Sequence, residues 1–132
     1  MIELKGRKIY KGFAKGKALV SSEPISFYGG VDPETGIVKE ENHPLEGKKI
    51  TDKILVFPKG KGSTVGSYIL YWMASIGTAP AAIINQETET IVAVGAIIGE
   101  IPCVDKIDIS KIKNGDILEV DASNGAVRIY NE

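Results

Sequence analysis

The sequence has only one cysteine, Cys103, and one histidine, His43, among its 132 residues. A single cysteine excludes an internal disulfide. It also excludes a zinc or iron–sulfur site held by this chain's own thiolates, because such sites need three or four ligands. A single histidine excludes a pair of histidine metal ligands. It also means that a serine–histidine relay would have to use His43.

Long apolar runs are also lacking. The longest, residues 68–74 and 91–99, are shorter than the roughly 18 residues that a membrane span requires. The first residues, MIELKGRKIYKG, contain no apolar core of signal-peptide length. These patterns predict a cytoplasmic protein without a membrane partner.

The length of the chain predicts a single domain over residues 1–132. Hydrophobic residues make up 43% and charged residues 25%, which excludes wholesale disorder. Residues 1–66 carry a net charge of +4 and residues 67–132 a net charge of −5. The basic stretch at residues 5–17 is either an anion-attracting surface or a solvated lysine-rich face. Nucleic acid is not expected as a partner, because the sequence pI is about 5.9 and few aromatic residues interrupt the basic stretch.

Short apolar runs between turn-forming residues predict a strand-rich α/β domain. Strands are expected at residues 7–10, 17–20, 25–28, 53–57, 81–85, 102–105, 116–121 and 126–130. Residues 29–36, GGVDPETG, are typical of a turn, and Gly125 precedes the last strand as in a hairpin. Residues 90–99 fit either a helix or a strand.

A helix is predicted from Thr64, with its buried line at Val65, Ile69, Met73 and Ile76 and its end at Gly77. Tyr68, Tyr71 and Trp72 lie off that line, so the helix is apolar nearly all round. Either another chain covers one side, or both sides are buried within the domain.

The segment ILVFPKGKGSTVGSYIL, residues 54–70, predicts a strand, a glycine loop and a helix. In this layout, backbone N–H groups and a helix N-terminus can receive an anion. The loop does not match the Walker A pattern. Ser63 is a candidate N-cap, anion ligand or reactive hydroxyl, and the nearby Lys59 and Lys61 would favour its alkoxide.

Other chemically capable residues favour structural roles. His43, between Asn42 and Pro44, is predicted to be a surface or turn histidine. Cys103 is predicted to be a small buried residue, and Asp32, before Pro33, a turn former. Since these residues complete no active site, the sequence indicates half of a site shared with another chain.

Five segments resemble the small subunit of the aconitase X family. They are GGVDPETGIV at 29–38, HPLEGKKI at 43–50, PKGKGSTVGSY at 58–68, APAAII at 79–84 and GAIIGEIPCVD at 95–105. The resemblance covers about residues 5–130 and implies a swivelling β/β/α domain, strand-rich with one to three helices. It further implies a large-subunit partner that holds a [4Fe–4S] cluster through its own cysteines, with no cofactor bound by this chain.

The resemblance also implies an activity: dehydration of mevalonate 5-phosphate to trans-anhydromevalonate 5-phosphate in archaeal isoprenoid synthesis. Ser63 corresponds to the family's proton acceptor, and Gly62, Thr64, Lys61 and Lys59 are expected to bind the phosphorylated hydroxy acid. Many relatives have Arg in place of Lys61 and Ser in place of Thr64. Alternatives are a dehydratase acting on hydroxyproline, a phosphohistidine carrier using His43, and a non-catalytic chain that binds an anion at residues 59–64.

Overall fold

The structure is a computed structural model that describes residues 1–130. Its strands are β1 (Ile2–Lys5), β2 (Arg7–Tyr10), β3 (Phe13–Val20), β4 (Val31–Asp32), β5 (Ile37–Val38), β6 (Ile54–Phe57), β7 (Ala82–Asn85), β8 (Cys103–Asp105), β9 (Ile117–Asp121) and β10 (Ala126–Tyr130). Its helices are the single turn α1 (Phe27–Gly30), α2 (Gly66–Ile76) and α3 (Thr90–Gly99). The predicted domain of residues 1–132 ends with Asn131 and Glu132, which lie outside the described residues.

Eight strands form one sheet in the order β1-β10-β9-β3-β6-β7-β8-β2. The long strand β3 joins its two halves, because its first residues pair antiparallel with β9 and its last residues pair parallel with β6. The two edge strands, β1 and β2, are consecutive in the chain and separated only by Gly6. The sheet is therefore curled, with its two edge strands brought together and connected by Gly6.

Two apolar cores lie on opposite faces of the parallel strands. Ile54 and Val56 of β6 pack with residues of β9 and β10 inside the curled sheet. Leu55 and Phe57 pack with Leu70 of α2 and other residues of the helical layer. Because both faces of β6 are covered, all four of its residues are buried, which explains the continuous apolar run in the sequence.

Most predicted elements are confirmed, two differ, and the structure decides one that the sequence left open. The prediction of a strand at residues 25–28 is wrong, because Ile25 makes only one isolated bridge, to Gly60, and the chain then turns at Phe27. Strand β3 begins at Phe13, four residues before the predicted start, because its first half pairs with β9. Residues 90–99, which fitted either element, form the helix α3.

Helix α2 ends as predicted, with Gly77 in the left-handed conformation. Its predicted buried line is confirmed at Met73, which is fully buried, and in part at Ile69, which is half-buried against the core. The line is wrong at its two ends, since Val65 and Ile76 are 42% and 49% exposed, and Leu70 is buried instead. The helix begins at Gly66 and packs against α3 through Gly66 and Leu70, which fixes its rotation. The aromatic residues therefore face solvent.

Candidate functional site

The glycine loop, residues 58–65, leaves the carboxyl end of β6 and leads into α2. It is held in place by a neighbouring segment: the Ile25 N–H donates to the Lys59 oxygen (3.2 Å), and the Lys61 N–H donates to the Ile25 oxygen (3.0 Å). These bonds extend β6 by a short parallel pairing, and Gly60 is buried beside Glu89 and Val92. The residues from Lys61 to Val65 are exposed beyond this point.

Gly62 is required for the shape of the loop. Its φ of +89° lies in the left-handed region that side chains rarely adopt. A Cβ on Gly62 would also lie 2.5 Å from the Ser26 Oγ. The loop therefore approaches the 26–30 segment more closely than any other residue would permit.

Ser63 presents an exposed hydroxyl at the start of α2. Its Oγ accepts a hydrogen bond from the Val65 N–H (3.1 Å), and its carbonyl accepts from the Gly66 N–H (2.9 Å). The Ser63 hydroxyl thus binds a backbone N–H in the turn that precedes α2. The helix begins at Gly66 and not at the predicted Thr64. The residue before that helix, Val65, makes no side-chain cap.

Lys61 lies beside a recess of about 320 Å³ that is lined by Ser26, Gly62, Glu40 and the turn at residues 28–30. Its Nζ pairs with the Glu40 Oε2 at 2.8 Å, and both side chains are partly exposed. Glu40 and Ser26 were not singled out by the sequence analysis. No spacing rule signals them, because Glu40 lies in a polar stretch 21 residues before its partner.

The other predicted binding residues are distributed around the same loop. Thr64 is exposed next to Ser63, and its carbonyl accepts from the Ser67 Oγ at 2.9 Å. Lys59 lies at a separate recess of about 240 Å³, together with Gln86 and Glu87. Lys61 and Gly62 therefore line one recess, and Lys59 lines another. Ser63 follows Gly62 in the chain but lines neither recess.

His43 is buried rather than at the surface, at 7% exposure, although it does lie in a turn-rich segment. The Leu45 N–H donates to its Nδ1 (3.0 Å), and its Nε2 lies 3.0 Å from the Pro24 oxygen. Because the Leu45 N–H donates to Nδ1, the ring proton is assigned to Nε2, which donates to the Pro24 oxygen. Because both ring nitrogens are occupied, His43 offers no free nitrogen to carry a phosphoryl group.

Cys103 is buried, as predicted, and burial raises the pKa of its thiol to about 12. Its sulfur is therefore neither a nucleophile nor a metal-binding thiolate at neutral pH. The prediction that Asp32 forms a turn is also confirmed, since its Oδ1 accepts from the Glu34 N–H at 3.0 Å.

Two negative findings apply to residues 1–130. No group of three or more histidine, cysteine, aspartate or glutamate side chains is arranged to hold a metal ion. No helix in this part of the chain has the length and apolarity to cross a membrane.

Comparison with known proteins gives closely similar relatives. The family described as the aconitase X swivel domain matches residues 3–129. The phosphomevalonate dehydratase small subunit of Thermococcus sibiricus is 58% identical over 128 residues, covering 97% of this chain and 98% of that protein. Its namesake from Methanosarcina acetivorans is 57% identical over 131 residues, covering 97% and 91%.

The fold is shared with a solved structure. The crystal structure of Thermococcus kodakaraensis aconitase X in its holo-form superimposes with a TM-score of 0.97 at 55% identity, covering 99% of this chain and all of that chain. The expectation of a swivelling β/β/α fold is thereby confirmed.

Proposed function

The chain belongs to the aconitase X swivel-domain family, and on that premise we propose that it is the small subunit of a hydro-lyase that dehydrates mevalonate 5-phosphate. The observation that carries the proposal is the exposed Ser63 hydroxyl on the glycine loop, in a chain that matches phosphomevalonate dehydratase small subunits over nearly their whole length. The product would be trans-anhydromevalonate 5-phosphate, and the enzyme would work in the cytoplasm.

A large subunit would have to complete the site. Within residues 1–130, the loop supplies the exposed Ser63 hydroxyl and nearby cations, and no group of side chains is arranged to hold a metal ion. An iron–sulfur cluster does not fit this chain, because its only thiol is buried and has a raised pKa. We therefore assign the [4Fe–4S] cluster of this family to the large subunit.

Ser63 would act as the base. In its alkoxide form, the Oγ takes the proton from the carbon next to the substrate carboxylate. The electron pair of that C–H bond forms the double bond, and the hydroxyl on the next carbon leaves as hydroxide, which becomes water with a proton that an acid of the large subunit would supply. The alkoxide is favoured by the Val65 N–H at 3.1 Å and by the positive end of α2.

Lys61 would bind the substrate's anionic groups. Lys61 lies in the same loop as Ser63, and Glu40 holds its ammonium group beside the recess. A phosphate would replace Glu40 as its partner, and the exposed Gly62 and Thr64 would lie against the same ligand. Lys59, at the neighbouring recess, would add positive charge that attracts the substrate.

The experiment is anaerobic turnover of mevalonate 5-phosphate by the complete complex, comparing wild type with Ser63→Ala. Ser22→Ala is the control, because it removes an exposed serine hydroxyl outside the glycine loop. We expect Ser63→Ala to lower kcat by about 1,000-fold or more while the complex still forms, and Ser22→Ala to change it by less than about threefold.

Retained activity in Ser63→Ala would move the base to the large subunit. Hydroxyproline is tested in parallel with the wild-type complex. Turnover of hydroxyproline in place of mevalonate 5-phosphate would overturn the proposed substrate while keeping the dehydratase chemistry. Binding of an anion without turnover of either compound would favour the non-catalytic alternative.

A further inference from the structure

The outer faces of α2 and α3 form one exposed apolar surface. On α2, Tyr68, Tyr71 and Trp72 are 67%, 50% and 41% exposed. On α3, Val94 and Ile97 are also exposed. Neither helix contains a charged residue, although a solvent-facing helix normally carries charges on its outer face.

The two helices lie side by side, so their exposed faces are continuous. At three points along the pair, a glycine of one helix lies against a side chain of the other: Gly66 against Ile91, Gly95 against Leu70, and Gly99 against Ala74. A Cβ on Gly95 would lie 2.6 Å from the Leu70 Cδ1, so the helices are packed as closely as glycine allows. We call this surface, formed by the exposed side chains of residues 65–76 and 90–99, the α2–α3 face.

The α2–α3 face is large for an apolar patch exposed on a monomer. With about 200 Å² for each aromatic side chain, the three exposed rings alone present roughly 300 Å². That area already approaches the largest apolar patch of a typical monomer, before the aliphatic side chains of both helices are included. Tyrosine and tryptophan are also the residues most enriched where protein partners bind tightly.

The α2–α3 face begins at the proposed active site. Val65, the last residue of the glycine loop, is 42% exposed, and Tyr68 follows one helical turn later. A chain that covers this face therefore reaches Ser63. A second copy of this chain would bring only another glycine loop of the same composition to the site. The proposed reaction also needs an iron–sulfur cluster, which a large subunit would supply.

We propose that the α2–α3 face is the docking surface for the large subunit, with Tyr68, Trp72 and Ile97 as its apolar anchors. This inference rests on the proposed function, because it takes the large subunit as the occupant. Docking along the helices excludes water from the apolar surface and sets the large subunit against the glycine loop, where the shared site would be completed.

The test measures the affinity of the small subunit for the purified large subunit, without turnover. The variants are Trp72→Glu and Ile97→Glu, and the control is Phe13→Glu, which changes an exposed apolar residue on β3 (60% exposed) in the same way. We expect each face variant to raise the Kd by about 30-fold or more and the control to change it by less than about threefold. Unchanged affinity in the face variants would overturn the proposal.

A second measurement uses the wild-type complex and does not depend on the folding of variants. In hydroxyl-radical footprinting, we expect Tyr68 and Trp72 to become protected when the large subunit is added, while Phe13 keeps its reactivity. Protection that instead rises with the concentration of the small subunit alone would identify a second copy as the occupant and overturn the proposal. If binding and protection behave as expected but mevalonate 5-phosphate is not dehydrated, the proposed substrate fails and the docking surface stands.

Discussion

Lys61 and Glu40 form an ion pair across the recess beside Gly62, with 2.8 Å between the Nζ and Oε2 atoms. The pair joins the glycine loop to a segment 21 residues earlier in the chain. Because both side chains are partly exposed, water screens the pair and its contribution to stability is small. The pair holds Lys61 in place, and in the proposed function an anionic ligand would compete with Glu40 for its ammonium group.

Replacing Lys61 should therefore weaken binding more than chemistry. We expect Lys61→Ala to raise the KM for mevalonate 5-phosphate by about 10-fold or more and to change kcat by less than about threefold. Steady-state kinetics of the complete complex provide the measurement, and Lys59→Ala is the control for a general loss of positive charge. An unchanged KM in Lys61→Ala would contradict a direct contact with substrate.

Neutralising Glu40 should have the opposite effect on binding. Glu40→Gln keeps the shape of the side chain but removes the charge that competes with the substrate for Lys61. We expect the KM to fall by about twofold to fivefold, with the largest change at low salt, where charges are least screened. A higher KM would mean that holding Lys61 in place matters more than releasing it.

Gly62 and Gly29 provide a matched pair of substitutions. Both have a positive φ, +89° and +87°, but a Cβ would meet the Ser26 Oγ at 2.5 Å only at Gly62, and nothing within 4 Å at Gly29. We expect Gly29→Ala to lower the free energy of unfolding by about 1 kcal/mol, and Gly62→Ala by about 1 to 2 kcal/mol more. Urea denaturation measures both, and equal losses would show that the loop moves to accept the methyl group.

Cys103 should be unreactive in the folded protein. Burial raises the pKa of its thiol to about 12, so almost no thiolate forms at neutral pH, and the sulfur is also inaccessible. We expect iodoacetamide to leave Cys103 unmodified at about pH 8 in the native chain and to alkylate it after unfolding in urea. Mass spectrometry measures the modification, and rapid labelling of the native chain would contradict the burial.

Stability should fall in acid. Hydrogen bonds from Asn124 lower the pKa of Asp121, and those from Ser110 lower the pKa of Asp108. A carboxyl group with a lower pKa in the folded state stabilises the fold above its unfolded pKa, and this contribution is lost as the pH falls through the folded pKa.

We therefore expect the free energy of unfolding to be highest above about pH 5 and to decrease below it. Asn124→Ala removes the hydrogen bond of 2.9 Å to Asp121 and should make that decrease less steep. Urea midpoints measured across the pH range test this, and an identical acid profile in Asn124→Ala would show that Asp121 has no part in it.

Local patterns in the sequence predict the elements around the site. The buried strand β6, the loop of glycines and Ser63, and the end of α2 at Gly77 all follow from neighbouring residues, because turn chemistry and apolar runs act over a few positions. Ser63 was placed at the start of the helix, and its hydroxyl does bind a backbone N–H there. Its role as the base stays a prediction.

Contacts between distant segments were not predictable. Nothing near Ile25 in the sequence indicates that it pairs with the glycine loop, so the apolar run at residues 25–28 predicts an ordinary strand. His43, predicted to be a surface or turn histidine, lies in a turn-rich segment but is buried, and its ring nitrogens contact the Pro24 oxygen and the Leu45 N–H. Such contacts depend on which distant segments the fold brings together, and the spacing of apolar residues along the chain carries no information about that.

The sequence by itself determined the strand-rich α/β architecture and the position of an exposed hydroxyl on a glycine loop, because both depend on residues close together in the chain. Only the tertiary structure decided which side of α2 is buried, because Gly66 and Leu70 pack against α3 and turn the aromatic residues outward. It also brought Glu40 to Lys61, since a long-range ion pair forms only where packing has already set the backbone in place.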